Sequence, residues 1–279
     1  MEVRLAKKRG FCIGVENAIE QAAQVVAAGP PGKIYSLGEV IHNRQVVDDL
    51  AAQGLKVLDD PQDARPGDTV LIRSHGVPPE VIATLKTRGA KVVDATCVLV
   101  KKAQQIVQQL QAEGYRVVVI GDENHPEVRG VIGYAKDVTC VETEDDLDHL
   151  PTGGKLGIIC QTTHSPELFG RMVGRIAARG YAELKVINTL CAETRRRQQA
   201  AVELAREVEV MFVLGGRQSA NTRQLARLCE TAGVRTYHLE SWADFEPAMA
   251  ADATVAGVTA GASTPESIIE EFVEQLRRV

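Results

Sequence analysis

The sequence of 279 residues lacks several features that mark common protein classes. Aromatic residues make up only 4% of it, which argues against a base-stacking platform for single-stranded nucleic acid. Its 32 basic residues are outnumbered by 37 acidic ones, so the chain has no basic footprint for DNA. No apolar run reaches the roughly 18 residues of a membrane span, and the N-terminus has no apolar signal core. We therefore expect a cytoplasmic protein that binds neither nucleic acid nor a membrane.

Local metal-binding and nucleotide-binding motifs are also missing. None of the six cysteines stands in a C-x-x-C pair, which excludes zinc ribbons and ferredoxin-type runs. Neither a G-x-x-x-x-G-K-[ST] loop nor a G-x-G-x-x-G motif after a strand is present, so P-loop hydrolysis and Rossmann NAD or FAD binding have no support. In a reducing compartment the cysteines should be free thiols, and any metal site must combine cysteines that are distant in sequence.

The sequence contains a weak threefold repeat. Cys12, Cys97 and Cys191 each precede a segment with apolar residues at helical spacing, and they stand roughly 90 residues apart. Each helical segment is followed by an apolar strand that ends in Gly, a polar cluster, a second apolar strand and a Pro-Glu pair that is typical of a helix start. The runs 91–93 and 185–187, just before the second and third cysteines, predict buried strands.

Alternation of strands and helices predicts parallel α/β sheets with helices on their faces. We predict three similar α/β lobes over residues 1–97, 98–191 and 192–279, the last with a C-terminal helix. Every polar cluster lies at the carboxyl end of a strand, where such sheets bind ligands, so the loops of the three lobes could face one shared centre. A single irregular sheet with coincidental spacing is the alternative.

Three cysteines at equivalent ends of three lobes could form one metal centre. Each stands near a helix N-terminus, where the helix dipole favours the thiolate. Three thiolates suit an iron–sulfur centre, above all a [4Fe–4S] cluster with an open fourth iron. Zinc bound by three cysteines and a histidine is the competing metal site, and plain buried cysteines are the ordinary alternative. Cys140, Cys160 and Cys229 fall outside the repeat, and we predict that they are structural.

Polar side chains in equivalent loops form a candidate anion-binding set. The set comprises His42, His75, His125, Ser219, Asn221 and Ser263. Hydroxyls, amides and helix N-termini hold phosphate well. The alternative for each histidine is that it only caps or satisfies a turn. Glu127 is a candidate proton donor to a metal-bound substrate, with an exposed loop glutamate as the ordinary alternative. The basic run 195–197 is expected to open a helix on the surface, or else to dock an acidic electron donor.

These motifs occur in an order that points to one family. They lie at residues 9–12, 14–15, 41–43, 73–77, 94–97, 125–128, 130, 161–163, 189–191, 194, 197–198, 219, 221 and 261–263. With them, the chain resembles the 4-hydroxy-3-methylbut-2-enyl diphosphate reductases, the family that catalyses the last step of the methylerythritol phosphate route to isoprenoids. The likeness runs almost from end to end.

The resemblance implies a trefoil-like, pseudo-threefold arrangement of three α/β lobes with mainly parallel sheets around a central [4Fe–4S] cluster. Cys12, Cys97 and Cys191 match the ligands of that cluster. The implied reaction uses two electrons and two protons to remove the allylic hydroxyl as water, and it yields isopentenyl diphosphate and dimethylallyl diphosphate. Glu127 matches the acid that supplies a proton, and Thr162 matches the residue that orients the hydroxyl at the open iron.

The six residues of the anion-binding set match the groups that hold the diphosphate, and His125 would also relay protons. A ferredoxin or flavodoxin is the implied electron donor, and we expect a monomer or a weak homodimer. Four positions depart from the family pattern: Val98 stands where Pro is common, Ala220 where a second Ser is usual, Glu193 where a small residue is expected, and Val131 where a Thr is expected. One lost phosphate hydroxyl would cost on the order of 1 kcal/mol. A sister reductase for another allylic substrate, a non-catalytic zinc or cluster sensor, and a plain phosphate-binding protein stay open as alternatives.

Overall fold

A computed structural model describes all residues from Met1 to Val279 and contains three four-stranded sheets, all parallel. The first sheet has the order β3-β2-β4-β5, from β2 (Ile34–Leu37), β3 (Leu55–Leu58), β4 (Thr69–Ile72) and β5 (Lys91–Asp94). The second has the order β7-β6-β8-β9, from β6 (Arg116–Ile120), β7 (Thr139–Val141), β8 (Lys155–Cys160) and β9 (Glu183–Val186). The third has the order β1-β12-β10-β11, from β1 (Glu2–Leu5), β10 (Val210–Leu214), β11 (Arg235–Leu239) and β12 (Val255–Ala260).

Nine α-helices connect these strands. They are α1 (Ile13–Ala27), α2 (Arg44–Ala52), α3 (Pro79–Thr87), α4 (Val98–Ala112), α5 (Pro126–Ile132), α6 (Pro166–Ala177), α7 (Ala192–Ala205), α8 (Ala220–Thr231) and α9 (Glu266–Leu276). The predicted α/β class with three parallel-sheet lobes is confirmed. The helices start where the sequence indicates, because Pro fits the first turn and Ser165 and Ser219 accept backbone N–H bonds there. No helix is both long enough and apolar enough to cross a membrane.

The strand that leads to each repeat cysteine lies at the edge of its sheet. This holds for β1, β5 and β9, which precede Cys12, Cys97 and Cys191. The prediction that the runs before the second and third cysteines are buried strands is wrong: both strands have exposed ends and half-buried middles. An edge strand has a hydrogen-bonded neighbour on one side only, so its apolar residues are covered less completely than those of a central strand.

The N-terminal strand completes the third sheet. β1 pairs with β12 in parallel, with Glu2 opposite Val255 and Leu5 opposite Val258. The third sheet therefore combines the start of the chain with residues 210–260, and its strand order is equivalent to those of the other two sheets. The lobe boundaries at 1–97, 98–191 and 192–279 stay a prediction.

The chain divides into two compact units. One unit comprises Met1–Glu16, Ile41–Asp48 and Ala192–Val279, and it contains the third sheet. The other comprises Asn17–Val40 and Asp49–Cys191, and it contains the first and second sheets. We name them the third-sheet unit and the two-sheet unit.

Each unit has its own apolar core. In the third-sheet unit, the rings of Phe212 and Phe272 lie 5.3 Å apart, and Trp242 stacks on Phe245 at 4.3 Å. Aromatic pairs at these distances add stability beyond the area they bury. In the two-sheet unit, aliphatic residues of the central strands pack against the helices, with Leu110 of α4 fully buried. These cores hold the carboxyl ends of the strands in place, where the candidate site residues lie.

Candidate active site

The three repeat cysteines share one backbone setting. Each follows an edge strand and directly precedes a helix. In each case the cysteine amide N–H donates to a carbonyl oxygen in the loop after the neighbouring central strand. The donor–acceptor pairs are Cys12–Ala262 at 3.2 Å, Cys97–Ser74 at 3.0 Å and Cys191–Thr162 at 2.9 Å. The repeat in sequence is thus a repeat in local structure, with each cysteine at the N-terminus of a helix.

All six cysteines are free thiols, but they fall into two groups. The three repeat cysteines and Cys140 are partly exposed, whereas Cys160 and Cys229 are buried. Burial raises the pKa of Cys140 and of Cys229 to about 12, and it also raises that of Cys160. Because a metal binds the thiolate form, these three cysteines are poor ligand candidates. That these three cysteines are structural stays a prediction.

Glu127 and Thr162 form a buried pair in the two-sheet unit. Glu127, in the first turn of α5, is only 4% exposed. The backbone N–H of Thr162 donates to its Oε1 at 2.8 Å, and the Thr162 hydroxyl donates to its Oε2 at 2.8 Å. Burial raises the pKa of Glu127, and the two bonds from Thr162 offset that rise only in part. The carboxyl therefore keeps its proton to a higher pH than an exposed glutamate, as a proton donor requires.

His125 orients the first turn of α5, and His75 lies beside it. His125 Nδ1 accepts a 3.2 Å bond from the backbone N–H of Glu127, so a neutral His125 ring carries its hydrogen on Nε2. The ring of His75 meets that of His125 edge-on, with centroids 5.6 Å apart. A Cβ on Gly130 would lie 3.0 Å from the carbonyl oxygen of His75, so the glycine lets α5 approach the His75 loop.

The third-sheet unit contains the other predicted anion-binding residues. The Ser219 hydroxyl accepts a 3.3 Å bond from the backbone N–H of Thr222 and so caps α8. Ser263 Oγ donates to the backbone carbonyl of His42 at 3.2 Å. Asn221 is 5% exposed, and neither its amide nitrogen nor its amide oxygen has a hydrogen-bond partner. Buried amides are almost always paired, so this one indicates a group that is placed to bond a ligand.

Each unit thus brings together part of the predicted set. The two-sheet unit joins Glu127, Thr162, His125 and His75 through hydrogen bonds and ring contact. In the third-sheet unit, the Asn221 amide lies against Gly261 of the loop that carries Ser263, and Ser263 bonds the backbone of His42. The ordinary alternative for Glu127, an exposed loop residue, is wrong, because the first turn of α5 lies beneath the loop after β8.

The basic run at the start of α7 is only partly on the surface. Arg195 and Arg196 are exposed as expected, but Arg197 is fully buried, so the surface expectation is wrong for it. Its Nη2 donates to the carbonyl oxygen of Gly10 at 2.8 Å. Helical spacing could have predicted this burial. Leu204 follows Arg197 by two helical turns and lies on the same buried face of α7.

Three parallel sheets, each followed at one edge by a free cysteine at a helix N-terminus, define an α/β protein with a candidate thiolate metal site. The chain belongs to the LytB protein family, whose family model matches residues 3–277. This confirms the family resemblance that the motifs indicate.

Relatives and solved structures agree with this assignment. A protein of Geobacter metallireducens is 44% identical over 280 residues, which cover 100% of this chain and 98% of the relative. One of Aquifex aeolicus is 40% identical over 283 residues, with 100% and 97% covered. Both are named 4-hydroxy-3-methylbut-2-enyl diphosphate reductase.

Two solved structures are also similar. A structure of (E)-4-hydroxy-3-methyl-but-2-enyl diphosphate reductase, described as the terminal enzyme of the non-mevalonate pathway, is 40% identical, with a TM-score of 0.70 and full coverage of both chains. The E-1-hydroxy-2-methyl-but-2-enyl-4-diphosphate reductase from Plasmodium falciparum is 28% identical, with a TM-score of 0.93. The match covers 99% of this chain and 87% of that one.

Proposed function

We propose that this chain is an iron–sulfur oxidoreductase that removes the allylic hydroxyl of 4-hydroxy-3-methylbut-2-enyl diphosphate. The reaction consumes two electrons and two protons, releases water, and gives isopentenyl diphosphate and dimethylallyl diphosphate. It is the last step of the non-mevalonate route to isoprenoids. The observation that carries the proposal is the buried Glu127 carboxyl held by Thr162, in a chain whose relatives are named as reductases of this diphosphate.

In this proposal Cys12, Cys97 and Cys191 hold one [4Fe–4S] cluster and leave its fourth iron open. Their shared backbone setting, partial exposure and position at helix N-termini support the assignment, since soft thiolates are the usual cluster ligands. When bound, such a cluster supplies electrons and a Lewis-acidic iron that polarises the C–O bond. Zinc in the same place has no redox chemistry and would not serve a reductase.

Glu127 is the proposed proton donor to the departing hydroxyl. In the present arrangement both of its oxygens accept bonds from Thr162. A proton on Oε2 reverses the side-chain bond, because Glu127 then donates to the Thr162 hydroxyl oxygen. The Thr162 hydrogen is thereby released to bond the substrate hydroxyl and orient it. As the Glu127 proton passes to the Thr162 oxygen, the Thr162 hydrogen passes to the departing hydroxyl, which leaves as water, and Glu127 becomes a carboxylate.

His125 is the proposed relay that returns a proton to Glu127. Its Nδ1 bond to the Glu127 backbone fixes the ring and leaves the Nε2 hydrogen as the one that can move. The neighbouring His75 ring limits the orientations that His125 can adopt.

The diphosphate is the proposed ligand of the anion-binding set. Its members are His42, His75, His125, Ser219, Asn221 and Ser263. The unpaired Asn221 amide and the N-terminus of α8 are suited to phosphate oxygens, because both present donors. Binding energy from the diphosphate, which takes no part in the bond cleavage, positions the hydroxyl for reaction.

The test is anaerobic purification, followed by the visible spectrum, the iron content and turnover with dithionite, a viologen mediator and the substrate. We expect brown protein with about four irons per chain and both diphosphate products. Cys12→Ser should lower iron content and abolish turnover, whereas Cys140→Ser, at another partly exposed cysteine, should change neither. Colourless protein after cluster reconstitution would contradict the cofactor assignment. Brown protein without turnover would contradict the substrate and favour a sister substrate or a sensor.

A further inference from the structure

A turn with two glycines joins the central strand β10 to Ser219, the cap of α8. It comprises residues 215–218, and we name it the glycine turn. Gly215 adopts a φ of 143°, and a Cβ there would lie 2.7 Å from a threonine hydroxyl oxygen of α8. A Cβ on Gly216 would lie 2.4 Å from the backbone carbonyl oxygen of His42. Close packing on two sides therefore requires both glycines.

The glycine turn sets the position of the α8 N-terminus relative to the His42 backbone. The N–H of Ser219 donates to the carbonyl oxygen of Gly216 at 2.9 Å, so the cap follows the turn. Gly216 lies against the same His42 carbonyl oxygen that accepts the 3.2 Å bond from Ser263 Oγ. All of these groups belong to the third-sheet unit. A shift of the turn would move Ser219 and Asn221 relative to His42 and Ser263.

Three side chains outside the anion-binding set restrain the glycine turn. Successive glycines leave a backbone unusually free, so such restraints matter here. His238 Nε2 lies 2.8 Å from the carbonyl oxygen of Gly215. Glu240 Oε1 accepts a 2.8 Å bond from the backbone N–H of Arg217, and Arg223 Nη1 donates to the carbonyl oxygen of the same residue at 3.4 Å. Both ends of the turn are thus held by side chains.

His238 holds the first glycine from the neighbouring strand. It lies on β11 opposite Val213, on the sheet face that α8 covers. The N–H of Gly215 also donates to the carbonyl oxygen of Leu239 at 2.9 Å, so both polar groups of this glycine bond to β11. A carbonyl oxygen only accepts, so the His238 hydrogen must be on Nε2. Burial lowers the pKa of His238, although the Gly215 bond opposes this, and the ring is neutral near pH 7 with its single hydrogen in that bond.

We propose that His238 is a positioning residue that keeps the glycine turn, and with it the start of α8, in the shape that binds the diphosphate. This inference rests on the proposed function and assigns a role outside the groups that contact the substrate. Glu240 and Arg223 brace the other end of the turn. A ligand that meets an ordered turn does not lose affinity to the ordering of two glycines. His238 should therefore act on substrate affinity and leave the chemical step unchanged.

The test measures binding of inorganic pyrophosphate to the anaerobic holoenzyme by titration calorimetry, and KM and kcat for the substrate with dithionite and a viologen. His238→Leu removes the donor at similar volume and leaves the Gly215 carbonyl unpaired. The Kd for pyrophosphate and the KM should each rise about tenfold. The kcat should stay within about twofold of wild type, as for a residue that acts on binding alone. His238→Gln keeps an N–H donor near the position of Nε2 and should restore most of the affinity.

Tyr237→Leu is the matched control. Tyr237 precedes His238 in β11, but successive side chains of a strand point to opposite faces, and its ring stacks on Phe212 with centroids 5.9 Å apart. Loss of the ring should lower the melting temperature of the protein. Pyrophosphate affinity and KM should stay at the wild-type level, because no bond to the glycine turn is lost.

The outcomes separate this inference from the proposed function. If His238→Leu binds pyrophosphate as wild type does, if Tyr237→Leu weakens binding equally, or if His238→Gln restores nothing, the positioning role is wrong. Wild-type protein that binds no pyrophosphate would also overturn it, because the turn is proposed to order the site for that group. If wild type fails to turn over the substrate while pyrophosphate binding follows the expected pattern, the proposed function is wrong and the role of His238 stands.

Discussion

Arg197 and Gly10 are joined by a 2.8 Å hydrogen bond from the guanidinium Nη2 to the carbonyl oxygen. The arginine is fully buried, and Gly10 adopts a φ of 71°, which favours glycine. Cys12, two residues later, is held in turn by its amide bond to Ala262. The loop that presents this cysteine is thus fixed from two sides.

Arg197→Met should lower the free energy of unfolding of the apoprotein on the order of 2 kcal/mol, because the Gly10 carbonyl would stay buried without a donor. Urea unfolding measures the change. Arg195→Gln, at an exposed position of the same helix, is the control and should stay within about 0.5 kcal/mol of wild type. Equal stability of the two variants would show that the buried bond contributes nothing.

Glu127→Gln should reduce turnover about 100-fold or more, because an amide cannot donate a proton to the leaving hydroxyl. Iron content and substrate affinity should stay at the wild-type level, since Gln preserves the shape of the buried side chain. Single-turnover product formation measures the effect. Glu123→Gln, in an exposed position nearby, should have normal activity. Normal activity of the Glu127 variant would remove this residue from the mechanism.

The raised pKa of Glu127 also predicts a pH dependence of stability. In the unfolded chain this carboxyl loses its proton near pH 4.5, whereas in the folded protein burial keeps it protonated to a higher pH. The folded state therefore binds the proton more tightly, and its contribution to stability is lost as the pH rises from 4.5 through the folded pKa. Unfolding measured across this range should show wild type losing stability relative to Glu127→Gln. Parallel curves would contradict the raised pKa.

Thr162→Val should move the pH dependence of turnover. The two Thr162 bonds lower the pKa of Glu127, and valine removes the side-chain one, so the pKa should rise further. The descending limb of the pH profile should then shift to higher pH while maximal turnover falls, because the substrate hydroxyl loses its orienting partner. Thr162→Ser keeps the hydroxyl and should restore the wild-type limb. An unshifted limb in the valine variant would argue that another group titrates.

Asn221→Ala should weaken binding of the diphosphate without lowering the stability of the protein. The buried Asn221 amide has no hydrogen-bond partner in the protein, so removing it leaves no other buried group unpaired. The free energy of unfolding should therefore not fall. The KM for the diphosphate should rise about tenfold, as for a lost hydrogen bond to a charged group. Ser219→Ala provides the contrast, because loss of the α8 cap should cost about 1 kcal/mol of stability. A destabilised Asn221 variant with normal KM would contradict the ligand role.

Much of the fold could be predicted because the relevant information is local. Apolar spacing identified α1, α4 and α7, and Pro-Glu pairs identified the starts of α3, α6 and α9. Apolar runs identified the central strands, since side-chain period and backbone sterics act over a few residues. The cysteine repeat was visible for the same reason. The short strands β3, β7 and β11 were missed, because a half-exposed strand of a few residues has little apolar pattern.

Long-range pairing was not readable from the chain. Nothing in residues 2–5 indicates that they add to a strand at 255–258, because a parallel edge pairing depends on backbone hydrogen bonds rather than on particular side chains. The burial of Arg197 could not be predicted because the two arginines before it are exposed. Three identical residues in a row give no pattern that shows which of them lies on the buried face of the helix.

The sequence by itself determined which residue types are available for chemistry: three cysteines before helices, one glutamate in a His-Pro-Glu turn, and polar loops after strands. Only the tertiary structure decided their environments. Glu127 becomes an acid with a raised pKa because α5 packs beneath the loop of Thr162, and Asn221 becomes a buried unpaired amide because α8 packs against the loop of Gly261. The burial of a side chain and its hydrogen-bond partners depend on residues that are distant in sequence, and these residues come together only once the chain has folded.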